Sequence, residues 1–227
     1  MIDEEDPESV TPADVSMRLV SAAEGRRPGP VPLGEVSEKE LVLEARDGDM
    51  DAFALLVERR TPGLVAFLRR MLGDVEDARD VAQLTFVKVW QNLRKYDASF
   101  AFSTWLFRIA GNLAIDALRS RGSRTRTETE SFRLVRGGAA DDSAVTGLAR
   151  DEIRRVFEAC STVLSEKQKL VFVLREFEER DNAEIAVVLS CRESTVRNHL
   201  FQARRLLRAE ITRRFPEYVP DRGEVDA

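Results

Sequence analysis

Residues 183–207 read AEIAVVLSCRESTVRNHLFQARRLL. A short apolar segment, a connection of about three or four residues and a longer basic segment follow one another, which is the order of a helix-turn-helix. With about 100° between successive helical residues, Val196, Leu200, Ala203 and Leu207 fall on one face of the second helix. Ser194, Arg197, Asn198, Phe201, Arg205 and Arg208 fall on the other, with Thr195 beside them. Arginine pairs bidentately with guanine and asparagine with adenine in the major groove, while outer arginines neutralise phosphates. The bland alternative is a solvated, arginine-rich helix. His199 lies on the flank as the chain's one histidine, so it is not read as a metal ligand.

The formal net charge of −5 over 227 residues looks wrong for a DNA binder until it is mapped. Residues 1–37 hold eight acids against three arginines, which is the whole of that excess. Residues 192–214 carry seven arginines against Glu193 and Glu210, a local +5. For phosphate binding a local basic stripe matters more than the total. The acidic segment 1–37 contains most of the prolines and shows no sustained periodicity, so it is expected to be disordered and able to mimic DNA near the basic helix.

From Glu38 onward the hydrophobic period is helical and no strand alternation occurs. EKELVLEARDG and DMDAFALLVERR read as short helices, and Pro62 as the start of a further one over GLVAFLRRML. A helix over about 77–93 has Ala78, Val81, Ala82, Thr85, Phe86, Val89 and Leu93 on its core face. Asp80, Leu84, Val87 and Gln91 lie opposite, and an apolar pair facing water suggests a protein partner, although isolated exposed apolar residues are common. The next helix begins at about Phe102, with Trp105, Leu106, Ile109, Ala110, Leu113 and Ala117 as its expected buried arc. Arg108, Asn112, Asp116 and Arg119 gather on its other side. In the preceding loop RKYDASFAF, Lys95 can meet phosphate, and Tyr96, Phe100 and Phe102 are candidates to stack on a splayed base.

Periodicity fails over about 122–147, which reads as a linker. Helices resume at about 148–159, 166–178, 183–189 and 193–215, with capping boxes at Ser165 with Gln168 and Asp181 with Glu184. The fold class is therefore all-α. Two small helical domains, 38–121 and 148–215, stand on a flexible linker, with a leader 1–37 and a tail 216–227. Cys160 and Cys191 show no C-x-x-C pairing and read as reduced packing residues, and no cofactor is implied. There is no phosphate-cradling GxxxxGK[ST] segment and no convergent catalytic constellation, so no enzyme is expected. No apolar run approaches the roughly 18 residues of a membrane span, and MIDEEDPESV lacks the segments of a signal peptide. Membrane insertion is thus not expected, and a cytoplasmic location is.

The ordered set DARDVAQLTFVKVWQNL, FSTWLFRIAGNLAIDALR, LSEKQKLVFVLREFE and EIAVVLSCRESTVRNHLFQARRLL resembles bacterial RNA polymerase sigma factors of the extracytoplasmic-function class over about residues 38–215. The resemblance implies that 38–121 is a sigma-two domain, gripping the polymerase β′ clamp and opening promoter DNA at the −10 element. It implies that 148–215 is a sigma-four domain, contacting the β flap and reading −35 duplex. Asp77, Asp80 and Gln83 match the family's polymerase-binding motif, with Leu84 and Val87 alongside, whereas Arg79 and Leu84 stand where acids are common. Gly111 also departs from the pattern, and the leader 1–37 has no counterpart in it. Core RNA polymerase, promoter DNA and an anti-sigma factor are the implied partners. The rivals are a helix-turn-helix regulator that does not direct core polymerase, a nucleic-acid enzyme such as a recombinase, and a helical adaptor.

Overall fold

Three helices open on the same reciprocal device. Ser37 with Glu40, Ser165 with Gln168 and Asp181 with Glu184 each form a capping box, the side chain of the first accepting from the backbone N–H of the second while the side chain of the second accepts from the first residue's own N–H. A computed structural model describes residues 36–125 and 146–218, and all regular structure among them is helical. In chain order these are α1 (Glu38–Arg46), α2 (Met50–Leu72), α3 (Val75–Asn92), α4 (Phe102–Thr125), α5 (Thr146–Cys160), α6 (Glu166–Glu176), α7 (Asn182–Leu189) and α8 (Glu193–Arg214). Single 3-10 turns occupy Leu93–Lys95, Ser161–Val163 and Pro216–Tyr218. The readings of the acidic leader, of most of the linker and of most of the tail fall outside the described residues.

Pro62 does not start a helix. It lies inside α2, which runs unbroken for 23 residues. An internal proline removes one backbone hydrogen bond and costs about 3 kcal/mol. What offsets it is an apolar stripe that keeps helical phase across the proline: Phe53, Leu56, Leu64, Phe67, Leu68 and Met71 are all essentially fully buried. Breaking the helix at 61 would turn half of that stripe away from the core. Thr61 supports the junction, its hydroxyl donating to the Val57 carbonyl at 2.7 Å.

Among the described residues the contacts form two compact units, 36–68 with Glu76–Ala114, and Arg69–Val75 with 115–125 and 146–218. The end of α2 and the last part of α4 fall in the second unit. In the first unit the Phe53 and Trp90 rings lie 4.8 Å apart and those of Phe67 and Phe107 4.9 Å apart, so aromatic pairs bind α2 to α3 and to α4. On α3 the core residues are Ala78, Ala82, Thr85, Phe86 and Val89, as the period requires, with Val81 half-buried.

On α4 the buried arc is turned from the expected one. Leu106 and Ala110 are buried as expected, but Trp105, Ile109, Leu113 and Ala117 are only half-buried, and Phe102, Ser103, Thr104, Phe107, Gly111 and Ala114 join the buried face. The shift is about a quarter-turn. Small and weakly polar residues form much of the true interface, and a reading weighted towards large apolar side chains passes over them. Phe102 is thereby corrected: at 4% exposure it belongs to the core and offers no free ring to a base.

In the second unit α8 packs on α5, α6 and α7. The Phe157 and Phe172 rings stack at 5.4 Å, nearly parallel at 9°, and Phe177 tilts against Phe157 at 5.1 Å. Lys169 sits at the edge of this cluster, its ammonium 5.9 Å from the Phe157 ring centre. Burial, and after it the charge of Arg121, hold the ammonium's pKa down at about 8, against the opposing pull of Glu158.

Two stability outcomes follow from this packing. For Lys169 the charged form is disfavoured in the fold, so the penalty is complete below pH 8 and fades between about 8 and the unfolded value near 10.4. Lys169→Met should accordingly stabilise the protein at pH 7, by up to about 3 kcal/mol, with the gain shrinking as pH rises towards 10. Urea unfolding at a series of pH values measures it, and a gain that does not vary with pH would contradict the account. In the same assay Phe102→Ala should cost about 3–5 kcal/mol and Phe100→Ala less than about 0.5. Equal costs would place Phe100 in the core as well.

Candidate nucleic-acid and polymerase interfaces

The helix-turn-helix is built from two left-handed residues and a cap. Glu179 and Ser190, which flank α7, are the non-glycine residues at positive φ among those described, with φ of 54° and 51°. At Ser190 the reversal lets the Cys191 N–H donate to the Ala186 carbonyl at 3.0 Å, closing the end of α7. Arg192 is then extended, and α8 starts at Glu193. Asp181 fixes the other end of α7, accepting from Glu184 N–H at 2.8 Å.

The four residues expected to seat α8, Val196, Leu200, Ala203 and Leu207, are all buried. Ser194, Thr195, Arg197, Asn198, Phe201, Arg205 and Arg208 are exposed, Phe201 to 64%. A phenylalanine this open on the polar face of α8 can meet an apolar group such as a thymine methyl.

The arginines of this stretch are unequal. Arg204 is tied to α6 by two donations to Glu176 Oε1, at 3.1 Å from Nε and 2.6 Å from Nη2. Arg213 makes a two-pronged pair with Glu210 at 3.0 and 2.6 Å, and Arg214 donates to the Ala159 carbonyl at 2.5 Å, holding the end of α8 against α5. Arg197 lies 3.5 Å from Glu193. Arg192, Arg205 and Arg208 form no ion pair among the described residues. The sequence reading placed Arg205 outward correctly, but it had no means of seeing that the adjacent Arg204 is engaged by an acid 28 positions away.

The loop before α4 is held by its own side chains. The Tyr96 hydroxyl donates to the Phe100 carbonyl at 2.6 Å, and Asp97 accepts from Ser99 N–H at 2.9 Å. That second bond holds the Asp97 carboxyl below its ordinary pKa, while burial first, then the charges of Glu38 and Asp97, push the Tyr96 phenol up. Tyr96 packs on Phe102 at 5.9 Å and on Trp105 at 5.3 Å, and is half-buried. Of the three proposed stacking aromatics, Phe100 is the one that stands open, at 46% exposure. Lys95, Arg108, Asn112 and Arg119 are exposed. The signal that separates Phe102 from Phe100 was in the spacing, since Phe102 and Leu106 stand one helical turn apart on α4.

On α3, Asp80, Gln83 and Leu84 are exposed, Leu84 to 46%, while Asp77 and Val87 are half-buried. Arg79 donates to Glu76 at 2.6 Å, so its charge is balanced within its own helix. Among the described residues no group of three or more His, Cys, Asp or Glu is placed to hold a metal ion, and no helix is long and apolar enough to cross a membrane.

Residues 56–124 match the family model for Sigma-70 region 2, and residues 154–207 that for Sigma-70 region 4. The chain is 30% identical over 186 residues to the ECF RNA polymerase sigma factor SigW of Bacillus subtilis, covering 78% of this chain and 98% of SigW. It is 33% identical over 178 residues to the RNA polymerase sigma-H factor of Pseudomonas aeruginosa, covering 76% and 92%. Among solved structures it resembles CnrH in complex with the cytosolic domain of CnrY, with a TM-score of 0.59 and 27% identity over 78% of this chain and 98% of that one. Two matched regions in order, with near-complete coverage of relatives at this identity, place the chain in the extracytoplasmic-function family of RNA polymerase sigma factors.

Proposed function

We propose that this sigma factor directs core RNA polymerase to promoters by placing α8 in the major groove of the −35 element and the loop 93–101 at the −10 element. The observation that carries this reading is the two-faced character of α8: four apolar residues are buried, and Arg197, Asn198, Phe201 and Arg205 are exposed along the other side. Such a set offers guanine and adenine readers, an apolar contact and a phosphate contact on one helix. In this reading 38–121 and 148–215 act as the sigma-two and sigma-four modules. Phe100 takes an unpaired base, with Tyr96 and Phe102 supporting the loop, and Lys95, Arg108, Asn112 and Arg119 track the strand. The outer side of α3, with exposed Asp80, Gln83 and Leu84 and half-buried Asp77 and Val87, meets the β′ clamp, and the C-terminal module meets the β flap. The solved complex of CnrH with the cytosolic domain of CnrY supports control by a protein partner, which we take to be an anti-sigma factor that competes with polymerase. Work with polymerase implies a cytoplasmic location. The family is one of sigma factors and not of enzymes, and no catalytic residue is assigned.

Run-off transcription with core polymerase on a promoter library tests the proposal. The chain and core together should transcribe a discrete subset of templates that neither transcribes alone. Within that assay Leu84→Lys should weaken core binding about ten-fold with the melting temperature held within about 2 °C, because Leu84 contributes little to the fold. Duplex binding by the chain with no effect on initiation would overturn the proposal. A fall in melting temperature with unaltered core affinity would remove Leu84 from the interface.

A further inference from the structure

We propose that Glu193 is a positioning residue that turns Arg197 from a general phosphate binder into a reader of guanine. The inference rests on the reading that α8 enters the major groove. Within α8 the arginines fall into groups by what engages them. Arg204 is held by Glu176, and Arg213 and Arg214 are neighboured by Glu210. Arg205 and Arg208 are exposed without an ion pair among the described residues, as phosphate binders should be. Arg197 differs from both groups. It is exposed on the outward face, and its partner is the carboxylate of Glu193, 3.5 Å from Nη1, one turn back on the same helix and itself exposed.

The chemistry of a guanidinium explains what this pair does. Arginine has five N–H donors in a planar fork, and guanine takes two of them at O6 and N7. The remaining donors are enough to keep the carboxylate satisfied, so a guanine contact and the Glu193 pair can coexist. A phosphate contact is different in kind. An unrestrained guanidinium near duplex DNA is drawn to the phosphates, which are charged and present at every step. Reaching one moves Arg197 off Glu193 or brings the carboxylate towards a second anion, and either is unfavourable. Glu193 thus works by penalising the wrong contact, which is how specificity is commonly gained where attraction alone does not discriminate. Glu193 and Glu210 are the only acids from 192 to 214, and Glu210 is already engaged, so no other carboxylate on this helix is placed for the task.

The test uses the full chain assembled with core polymerase. Binding is measured on promoter duplexes with every base pair of the upstream element varied, and on random-sequence duplex over a range of salt. Glu193→Ala should lower the preference for guanine at one base pair about three- to five-fold, in keeping with an exposed ion pair. It should also tighten binding to random duplex and make the slope of log affinity against log salt more negative by about 0.9, because Arg197 is released to one further phosphate. Glu193→Gln, which keeps the size and loses the charge, should behave as the alanine variant does. In an Arg197→Ala background Glu193→Ala should change nothing further at that base pair. If Arg197→Ala abolishes a base preference and Glu193→Ala alters neither preference nor slope, Glu193 has no such role and the groove placement stands. If neither substitution alters preference or slope, the groove placement itself is wrong. A lower melting temperature with both binding readouts unmoved would make Glu193 a helix-end charge only.

Discussion

The seam of Val196, Leu200, Ala203 and Leu207 is the contact on which the C-terminal module depends. Burying these four residues against α5, α6 and α7 fixes the rotation of α8 about its own axis, and that rotation decides which side chains face outward. A turn of the helix by one residue would carry Arg197 and Phe201 about 100° round and bring charge towards the seat. Burial of unpaired charge is costly enough to exclude that register. Polar contacts then refine what the apolar seam sets. Arg204 on Glu176 locks α8 to α6, Arg214 on the Ala159 carbonyl holds its far end, and the left-handed Ser190 aims its start.

The same logic governs the first module. An apolar stripe strong enough to carry α2 through Pro62 provides the surface on which α3 and α4 pack. Phe102 is buried at the start of α4 and holds Tyr96 over it. Tyr96 in turn bonds the carbonyl of Phe100, so the buried ring indirectly keeps the exposed one in place. A buried and an exposed aromatic thus stand two residues apart.

Much of this was legible in the sequence, for physical reasons that also explain the misses. The seat of α8 reads directly because its apolar residues are large, keep strict helical spacing and stand among charges. The capping boxes at Ser165 and Asp181 read because the device lies within four residues. The arc of α4 does not, since Ser103, Thr104, Gly111 and Ala114 are buried there although small or weakly polar, which hydropathy does not register. Pro62 misleads because a local preference yields to a tertiary stripe. The separation of Arg204 from Arg205 depends on Glu176, and an ion pair spanning two helices is invisible to any local pattern.

The central claim is that packing sorts neighbouring arginines of α8 into those that serve the fold and those that face DNA. The direct measurement is the salt dependence of promoter duplex binding by the polymerase complex of Arg204→Ala and Arg205→Ala. The account predicts that Arg205→Ala makes the slope of log affinity against log salt shallower by about 0.9 with little change in melting temperature. Arg204→Ala should leave the slope unchanged and lower the melting temperature, through loss of its contact with Glu176. A shallower slope for Arg204→Ala, with Arg205→Ala silent, would mean that α8 presents a different face to DNA and would contradict the account.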